Sequence, residues 1–275
     1  MTAHRLQHST AVFAGIAAGA LMTIAPAAPA LAAPLGPAEL VGAEALGLLR
    51  AKTVLVAGAS GRNGRVVLRQ LAQLGVPARG MTRDAAAARA EIGAQFDWVE
   101  ADVTKPETLS GAFQGVDVVI SAVATSMPVG GNRPERVDYE GTVNLARAAK
   151  AAGVTRFVII TSSSSGQKKH FLNYIGGNVL IWKKRAEEAL MSSGLEYVIV
   201  GPAGIDDSPG GTRPIRMFPR DKYQRGMMIN RDDLATTVIA AAALPAAANR
   251  TFSVANGTGP AIENWSRTFA GLPRE

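Results

Sequence analysis

The chain has 275 residues, of which 47% are hydrophobic, so it is long enough to bury the core of one large α/β domain. It contains no cysteine, which excludes disulfide bonds and cysteine-based zinc sites, and its three histidines are too few to predict a metal site. The net charge of +7 comes from dispersed Lys and Arg residues among few aromatics. We therefore expect a solvated basic surface with a phosphate-binding cleft, and no nucleic-acid partner.

The N-terminal segment has the layout of an export signal. Arg5 precedes a short apolar run, Ala30-Leu31-Ala32 follows as a cleavage signal, and residues 1–38 contain no Asp or Glu. The unbroken run falls short of the roughly 20 residues of a membrane span, so we predict no stable span after processing; an uncleaved anchor is the alternative. Residues 1–32 are predicted to address the chain outside the cytoplasm (periplasmic or extracellular) or to a plastid or thylakoid lumen.

The segment Thr53–Gly64 predicts a strand, a glycine turn and the start of a helix. Apolar residues precede Gly58, and Gly61 and Gly64 complete a G-x-x-G-x-x-G spacing, one residue off the G-x-G-x-x-G form. Glycine lets the backbone approach a pyrophosphate, and the helix N-terminus favours its negative charge. We therefore predict a dinucleotide site here, with a purely structural turn as the alternative.

The end of the second strand, predicted at Pro77–Arg83, bears on cofactor choice. A basic residue at this point suits the 2′-phosphate of NADP, whereas an acid suits the ribose hydroxyls of NAD. Arg83 is basic, and the nearby acid, Asp84, is expected to start the next helix. The sequence thus favours NADP (NADPH), with Arg62 as a second candidate for the phosphate and a solvated strand end as the alternative for Arg83.

Two further strands are predicted to end beside the cofactor. Phe96–Val103 ends in Asp102, which is expected near the adenine; the alternative is that Asp102 caps a helix starting near Lys105. Gly115–Ala124 is apolar and ends in small residues, which leave room for a ribose.

The pattern continues with a helix and a fifth strand. After a Gly/Pro-rich loop, residues 137–153 predict an amphipathic helix and residues 155–163 a strand that runs into Ser162–Ser165. Strands and helices alternate five times, and the strands are continuously apolar. This predicts an α/β fold with a Rossmann-like, doubly wound parallel sheet.

Several motifs together resemble one family. They are GASGRNG at 58–64, ADVTKPETL at 101–109 and the segments 137–162, 180–205 and 229 onward. The chain resembles the NmrA-like atypical short-chain dehydrogenases/reductases, particularly their plant and cyanobacterial NADP-binding members. The resemblance implies an NAD(P)-binding domain over residues 51–258 with a small substrate region mainly at 205–230, which leaves residues 33–50 as a linker or short lead-in helix and 259–275 as a C-terminal tail.

The resemblance also implies the site residues. Ser162 would lie beside the nicotinamide and, with Lys183, is the catalytic candidate. The implied cofactor-binding residues are Gly58, Ser60, Gly61, Arg62, Asn63 and Gly64 at the pyrophosphate, Arg83 at the 2′-phosphate, Asp102 and Val103 at the adenine, Ala122 and Val123 at a ribose, Lys183 at a ribose hydroxyl, and Pro202 and Gly204 at the nicotinamide amide.

The Tyr-x-x-x-Lys pair that short-chain reductases use for proton transfer is missing, because no tyrosine has a lysine four residues later. Tyr174 and His170 fall near the expected cleft, and we interpret both as loop residues. Gly201 replaces an arginine common in relatives, which is expected to open or neutralise part of the substrate pocket. The segment 206–212 is expected to form a flexible rim, and Asn230 to cap the helix that follows it.

The sequence therefore predicts an NADP-dependent oxidoreductase that acts on a small organic substrate. The missing pair keeps a second hypothesis open, a non-catalytic NADP-binding redox sensor or a module that tethers a protein partner. An epimerase or isomerase with bound cofactor is a third.

Overall fold

The computed structural model describes residues 35–125, 130 and 132–274. The predicted signal of residues 1–32 and its cleavage site lie outside the described residues. Among those described, no helix is both long and apolar enough to cross a membrane.

An eight-stranded sheet lies at the centre of the fold, in the order β3-β2-β1-β4-β5-β6-β10-β8. Neighbouring strands are parallel except β10 and β8, which are antiparallel. Two further short strands, β7 and β9, pair in a separate parallel ribbon. The strands are β1 Val54–Ala57, β2 Ala78–Thr82, β3 Asp97–Glu100, β4 Val118–Ser121, β5 Arg156–Ile160, β6 Glu196–Pro202, β7 Gly204–Asp206, β8 Ile215–Phe218, β9 Met228–Asn230 and β10 Arg250–Asn256. The first six strands have the Rossmann order, which confirms the predicted fold class.

Helices cover both faces of this sheet, because successive residues of a strand point to opposite sides. Val54 and Val56 belong to one apolar core, whereas Leu55 and Ala57 belong to the other. The helices are α1 Pro37–Val41, α2 Ala43–Leu49, α3 Arg62–Gln73, α4 Ala85–Glu91, α5 Gly141–Ala151, α6 Phe171–Ile175, α7 Val179–Met191, α8 Arg231–Ala243 and α9 Trp265–Ala270. A π-helical turn, Glu135–Glu140, leads directly into α5.

Both ends of the described chain pack into the core: residues 37–49 form helices, which was the alternative to a linker, and the C-terminal segment contributes α9. Val41 and Leu49, on α1 and α2, are 1% and 0% exposed. The indole Nε1 of Trp265, on α9, donates to the Leu40 carbonyl at 2.6 Å. The physical reason is α8, which is buried on every side from Asp233 to Ala243 and therefore needs apolar cover.

Strands β3 and β4 are shorter than the sequence predicts, and the residues that follow them shape the site. β3 ends at Glu100 and β4 at Ser121, so residues 101–103 and 122–124 leave the ladder as loops. In open α/β sheets, ligands bind outside the carboxyl ends of the strands. The loops that follow β1, β2, β3 and β4 meet at that edge.

Candidate cofactor and active site

A cleft of about 430 Å³ opens at the carboxyl ends of β1, β2, β3 and β4. We call it the first cleft. The structure brings together in its lining eight of the residues predicted to bind the cofactor: Gly58, Ser60, Gly61, Arg83, Asp102, Val103, Ala122 and Val123. These residues are dispersed along the sequence and meet because each follows the end of a strand.

The glycine turn is shaped for close backbone approach. Gly58 has a φ of +76°, and a Cβ there would lie 3.1 Å from the backbone of Ala122 and Val123. A Cβ at Gly64 would collide with the Gly58 carbonyl, so this glycine lets α3 start against β1 rather than lining the cleft. The turn thus forms a backbone cradle at the N-terminus of a twelve-residue helix, an arrangement that fits a pyrophosphate.

The charge of the lining fits a phosphate-rich ligand. Arg83, Lys105 and Arg136 line the first cleft, and Asp102 is the single carboxylate among the described lining residues. The Arg83 side chain is exposed and forms no hydrogen bond or ion pair with any described residue, so it is available to an anion. Asp84 caps α4 by accepting from the Ala87 amide at 2.8 Å, as predicted.

Asp102 lies in the lining but does not cap a helix. Its Oδ1 accepts from the amide and the hydroxyl of Thr104, both at 2.8 Å. The capping alternative is wrong, because the following 3-10 helix, Pro106–Thr108, has Lys105 at its cap position. Asp102 instead closes a tight turn in the lining of the cleft.

Arg62 and Asn63 do not line the first cleft. Arg62 pairs with Asp207 at 2.5 Å, and Arg231 pairs with the same carboxylate at 2.8 Å while donating to the Asn63 amide oxygen. We call this group the Asp207 bridge. The hydrogen bond from Arg231, followed by the charges of both arginines, holds the pKa of Asp207 below its ordinary value.

The segment expected to be a flexible rim is tied down at several points. Hydrogen bonds from the Ser208 hydroxyl and amide lower the pKa of Asp206, and the Gly211 amide donates to Asp233 at 2.9 Å. Asn230 caps α8 as predicted, since its side chain accepts from the Asp233 amide at 2.8 Å. Segment 206–212 is thereby joined to the start of α8.

Lys183 is paired with a residue that sequence reasoning missed. Its Nζ donates to Asp138 Oδ1 at 2.7 Å, and the two side chains are 13% and 2% exposed. The other carboxylate oxygen of Asp138 accepts from the Thr125 hydroxyl at 2.6 Å and from its amide at 3.1 Å. Tyr139 stacks on Trp182, with ring centroids 5.9 Å apart. Lys183 is not in the lining of the first cleft.

Ser162 follows β5, and its hydroxyl oxygen accepts from the Ser164 amide at 3.2 Å. The Ser162 carbonyl accepts from Arg220 Nη1 at 2.9 Å, and Arg220 Nη2 donates to Thr161 Oγ1 and to the buried Glu187 at 3.0 and 2.8 Å. Sequence reasoning missed Arg220, since nothing in the pattern relates it to the serine run.

Arg220 also reaches the backbone that lies beside Gly201. A Cβ at Gly201 would lie 3.1 Å from the Ser162 and Ser163 backbone, so this position faces the serine run directly. The guanidinium of Arg220 reaches the same backbone from another segment, and its charge is paired with the buried Glu187.

The remaining candidate residues are either exposed or bound to other parts of the fold. Tyr174 is 78% exposed on α6, and His170 caps that helix by accepting from the Leu172 amide at 3.3 Å. The carbonyl of Pro202, at the end of β6, accepts from the Ser163 amide at 2.9 Å, while Gly204 pairs with Met228 in the short ribbon. No group of three His, Asp or Glu side chains within the described ranges could hold a metal ion.

Comparisons with known proteins agree with this geometry. The model of a family described as NAD(P)H-binding matches residues 58–245. Sanguinarine reductase of Eschscholzia californica is 28% identical over 260 residues, covering 79% of this chain and 95% of that protein. The chloroplastic protein TIC 62 of Pisum sativum is 35% identical over 204 residues, covering 64% of this chain and 38% of TIC 62. A solved structure from Bacillus halodurans, provisionally assigned as an NAD-dependent epimerase/dehydratase, superposes with a TM-score of 0.66 at 27% identity, covering 76% of this chain and 96% of that one.

Proposed function

Because the chain belongs to the NAD(P)H-binding family, among the atypical short-chain dehydrogenases/reductases of NmrA-like type, we propose that it is an NADP(H)-dependent oxidoreductase. Its substrate is a small organic molecule. The observation that carries the cofactor preference is Arg83, an exposed cation without a partner among the described residues, at the end of β2 in a cleft with a cationic lining.

Each part of the first cleft has a role in holding the cofactor. The backbone of the Gly58–Gly61 turn and the start of α3 bind the pyrophosphate, and Arg83 binds the 2′-phosphate. Val103 packs at the adenine, and the small side chain of Ala122 leaves space for a ribose. The nicotinamide, when bound, supplies or accepts the hydride.

Ser162 and Lys183 are proposed as the catalytic side chains. The Ser162 oxygen already accepts from Ser164, so its O–H is free to donate to a substrate oxygen on which charge develops. Lys183 contributes positive charge, and Asp138 fixes its position. The hydroxyl of Ser162 therefore performs part of the role that the Tyr-x-x-x-Lys pair, absent here, performs in other reductases.

Calorimetry with Arg83→Ala tests the cofactor assignment. Losing one charge-assisted contact should weaken NADPH binding by about 1–3 kcal/mol, which is roughly 5- to 150-fold in Kd. NADH binding should barely change. Arg147→Ala, which removes another exposed arginine outside the cleft lining, is the matched control. Equal losses for NADPH and NADH would refute the assignment.

The missing tyrosine pair supports a second candidate, a non-catalytic NADP-binding redox sensor or protein-tethering module. The exposure of Tyr174 fits this candidate, because a substituting proton donor would need to be enclosed with the substrate. Oxidation of NADPH across a panel of quinones, aldehydes and enones separates the two. Tight NADPH binding without turnover of any substrate class would favour the sensor or tether.

We also propose that residues 1–32 direct the chain out of the cytoplasm or into a plastid compartment. The support is the layout of the leader and the similarity to a protein named as chloroplastic.

A further inference from the structure

A second cleft, of about 440 Å³, opens beside the serine run. Its lining includes Ser164, Lys169, His170, Phe171, Tyr223 and Arg225. Ser164 stands two residues after the catalytic candidate Ser162. The opposite wall comes from the segment after β8, which also holds Arg220 against the Ser162 carbonyl. The second cleft therefore lies next to the proposed reaction centre.

The charge in this cleft has one sign. Lys169 and Arg225 are basic side chains, and neither forms a hydrogen bond or ion pair with any described residue. No Asp or Glu is among the described residues that line the cleft. Cations that have no counter-charge of their own favour an anionic ligand, and Arg in particular suits a carboxylate or sulfonate.

The cleft also presents flat apolar surface. His170 and Phe171 stack with ring centroids 5.0 Å apart and an angle of 29°, and Phe171 is 56% exposed. Tyr223 adds a second aromatic side chain from the opposite segment. A planar ligand gains stacking on such surfaces, which a small inorganic ion does not.

We propose that the second cleft selects substrates that are planar and aromatic and that carry a carboxylate or sulfonate. This inference rests on the proposed function, because it names the substrate class of that same enzyme. Lys169 and Arg225 hold the acid group, and the aromatic side chains hold the ring beside Ser162.

Binding to the full chain without cofactor is the first test. The probes are naphthalene-2-sulfonate and its neutral analogue naphthalene-2-sulfonamide, measured by calorimetry. We expect the sulfonate to bind at least about tenfold more tightly and its advantage to shrink with added salt. The double variant Lys169→Gln/Arg225→Gln should remove this advantage, whereas Phe171→Ala should weaken both probes. Lys168→Gln, which removes one neighbouring positive charge outside the lining, should alter the affinity of neither probe.

Equal affinities of the two probes would overturn the proposal, as would an equal loss of affinity in Lys168→Gln and in the double variant.

Turnover is the second test, with 1,2-naphthoquinone-4-sulfonate compared with 1,2-naphthoquinone as the substrate. Each turnover converts NADPH and a proton to NADP⁺ as the quinone becomes the hydroquinone. We expect a lower KM for the sulfonate in the native chain and equal KM values in the double variant. Selective binding of the sulfonate without turnover of any substrate class would refute the oxidoreductase and leave the anion site standing.

Discussion

Replacing Asp138 by Asn removes one charge from a pair that is almost fully buried. Asp138 accepts hydrogen bonds from Lys183 and from both donors of Thr125, and its side chain is 2% exposed. Breaking a buried pair from one side costs about 3–5 kcal/mol, because the remaining charge is left without a partner. The isosteric amide keeps an acceptor for Thr125, and Lys183 is 13% exposed, so we expect about 2–3 kcal/mol for Asp138→Asn.

A double-mutant cycle measured by urea unfolding at pH 7 tests this reasoning. Lys183→Met should destabilise the fold by a similar amount, since it leaves the Asp138 carboxylate uncompensated. The double variant Asp138→Asn/Lys183→Met should be less destabilised than the sum of the two, by about 2 kcal/mol. Additive effects would show that the ammonium and the carboxylate do not stabilise each other, and the proposed anchoring of Lys183 would then be wrong.

Three further predictions address chemistry, pH and processing. Ser162→Ala should lower kcat much more than it changes NADPH affinity. Tyr174→Phe should keep activity within a few-fold of the native value. Loss of turnover in Tyr174→Phe with intact NADPH binding would show that this tyrosine is the proton donor. The pKa of Asp207 in the folded protein lies below the ordinary Asp value of about 3.9. The stabilisation from the Asp207 bridge is therefore fully present above about pH 3.9 and is lost as the pH falls through the lower pKa of the folded protein. A carboxyl NMR titration should show the Asp207 pKa rising in Arg231→Gln, and an unchanged pKa would contradict that cause. Mass spectrometry of the native protein should find a mature N-terminus near Ala33, whereas an intact Met1 on soluble protein would remove the export argument.

Local patterns were enough to predict strands β1 to β5 and the first cleft, but not the antiparallel pairing of β8. Residues such as Gly58, Arg83 and Asp102 each follow a strand directly, so strand position and the geometry of parallel sheets bring them to one edge. The caps at Asp84 and Asn230 were also predictable, because a cap acts within three residues of itself.

Contacts across long stretches of chain were not predictable in this way. Asp138 and Lys183 are 45 residues apart, and Arg220 and Ser162 are 58 residues apart. Neither pairing has a spacing rule, because it depends on how α5, α7 and the segment after β8 pack on the finished sheet. Residues 37–49 could be predicted as a linker or as a helix for a related reason. A short Ala- and Leu-rich stretch depends for its helical structure on a surface to pack against, which here is α8.

The hydrogen bond from Trp265 to the Leu40 carbonyl joins positions 225 residues apart, and it constrains the order of events during synthesis. The apolar sides of α1 and α2 emerge from the ribosome well before the helix they cover, α8, and their neighbour α9. Until then these surfaces are open to chaperones and to other nascent chains. An export pathway that accepts unfolded chains would therefore meet this protein before α1 and α2 are covered, and a truncation before α9 would remove the hydrogen bond from Trp265 to Leu40.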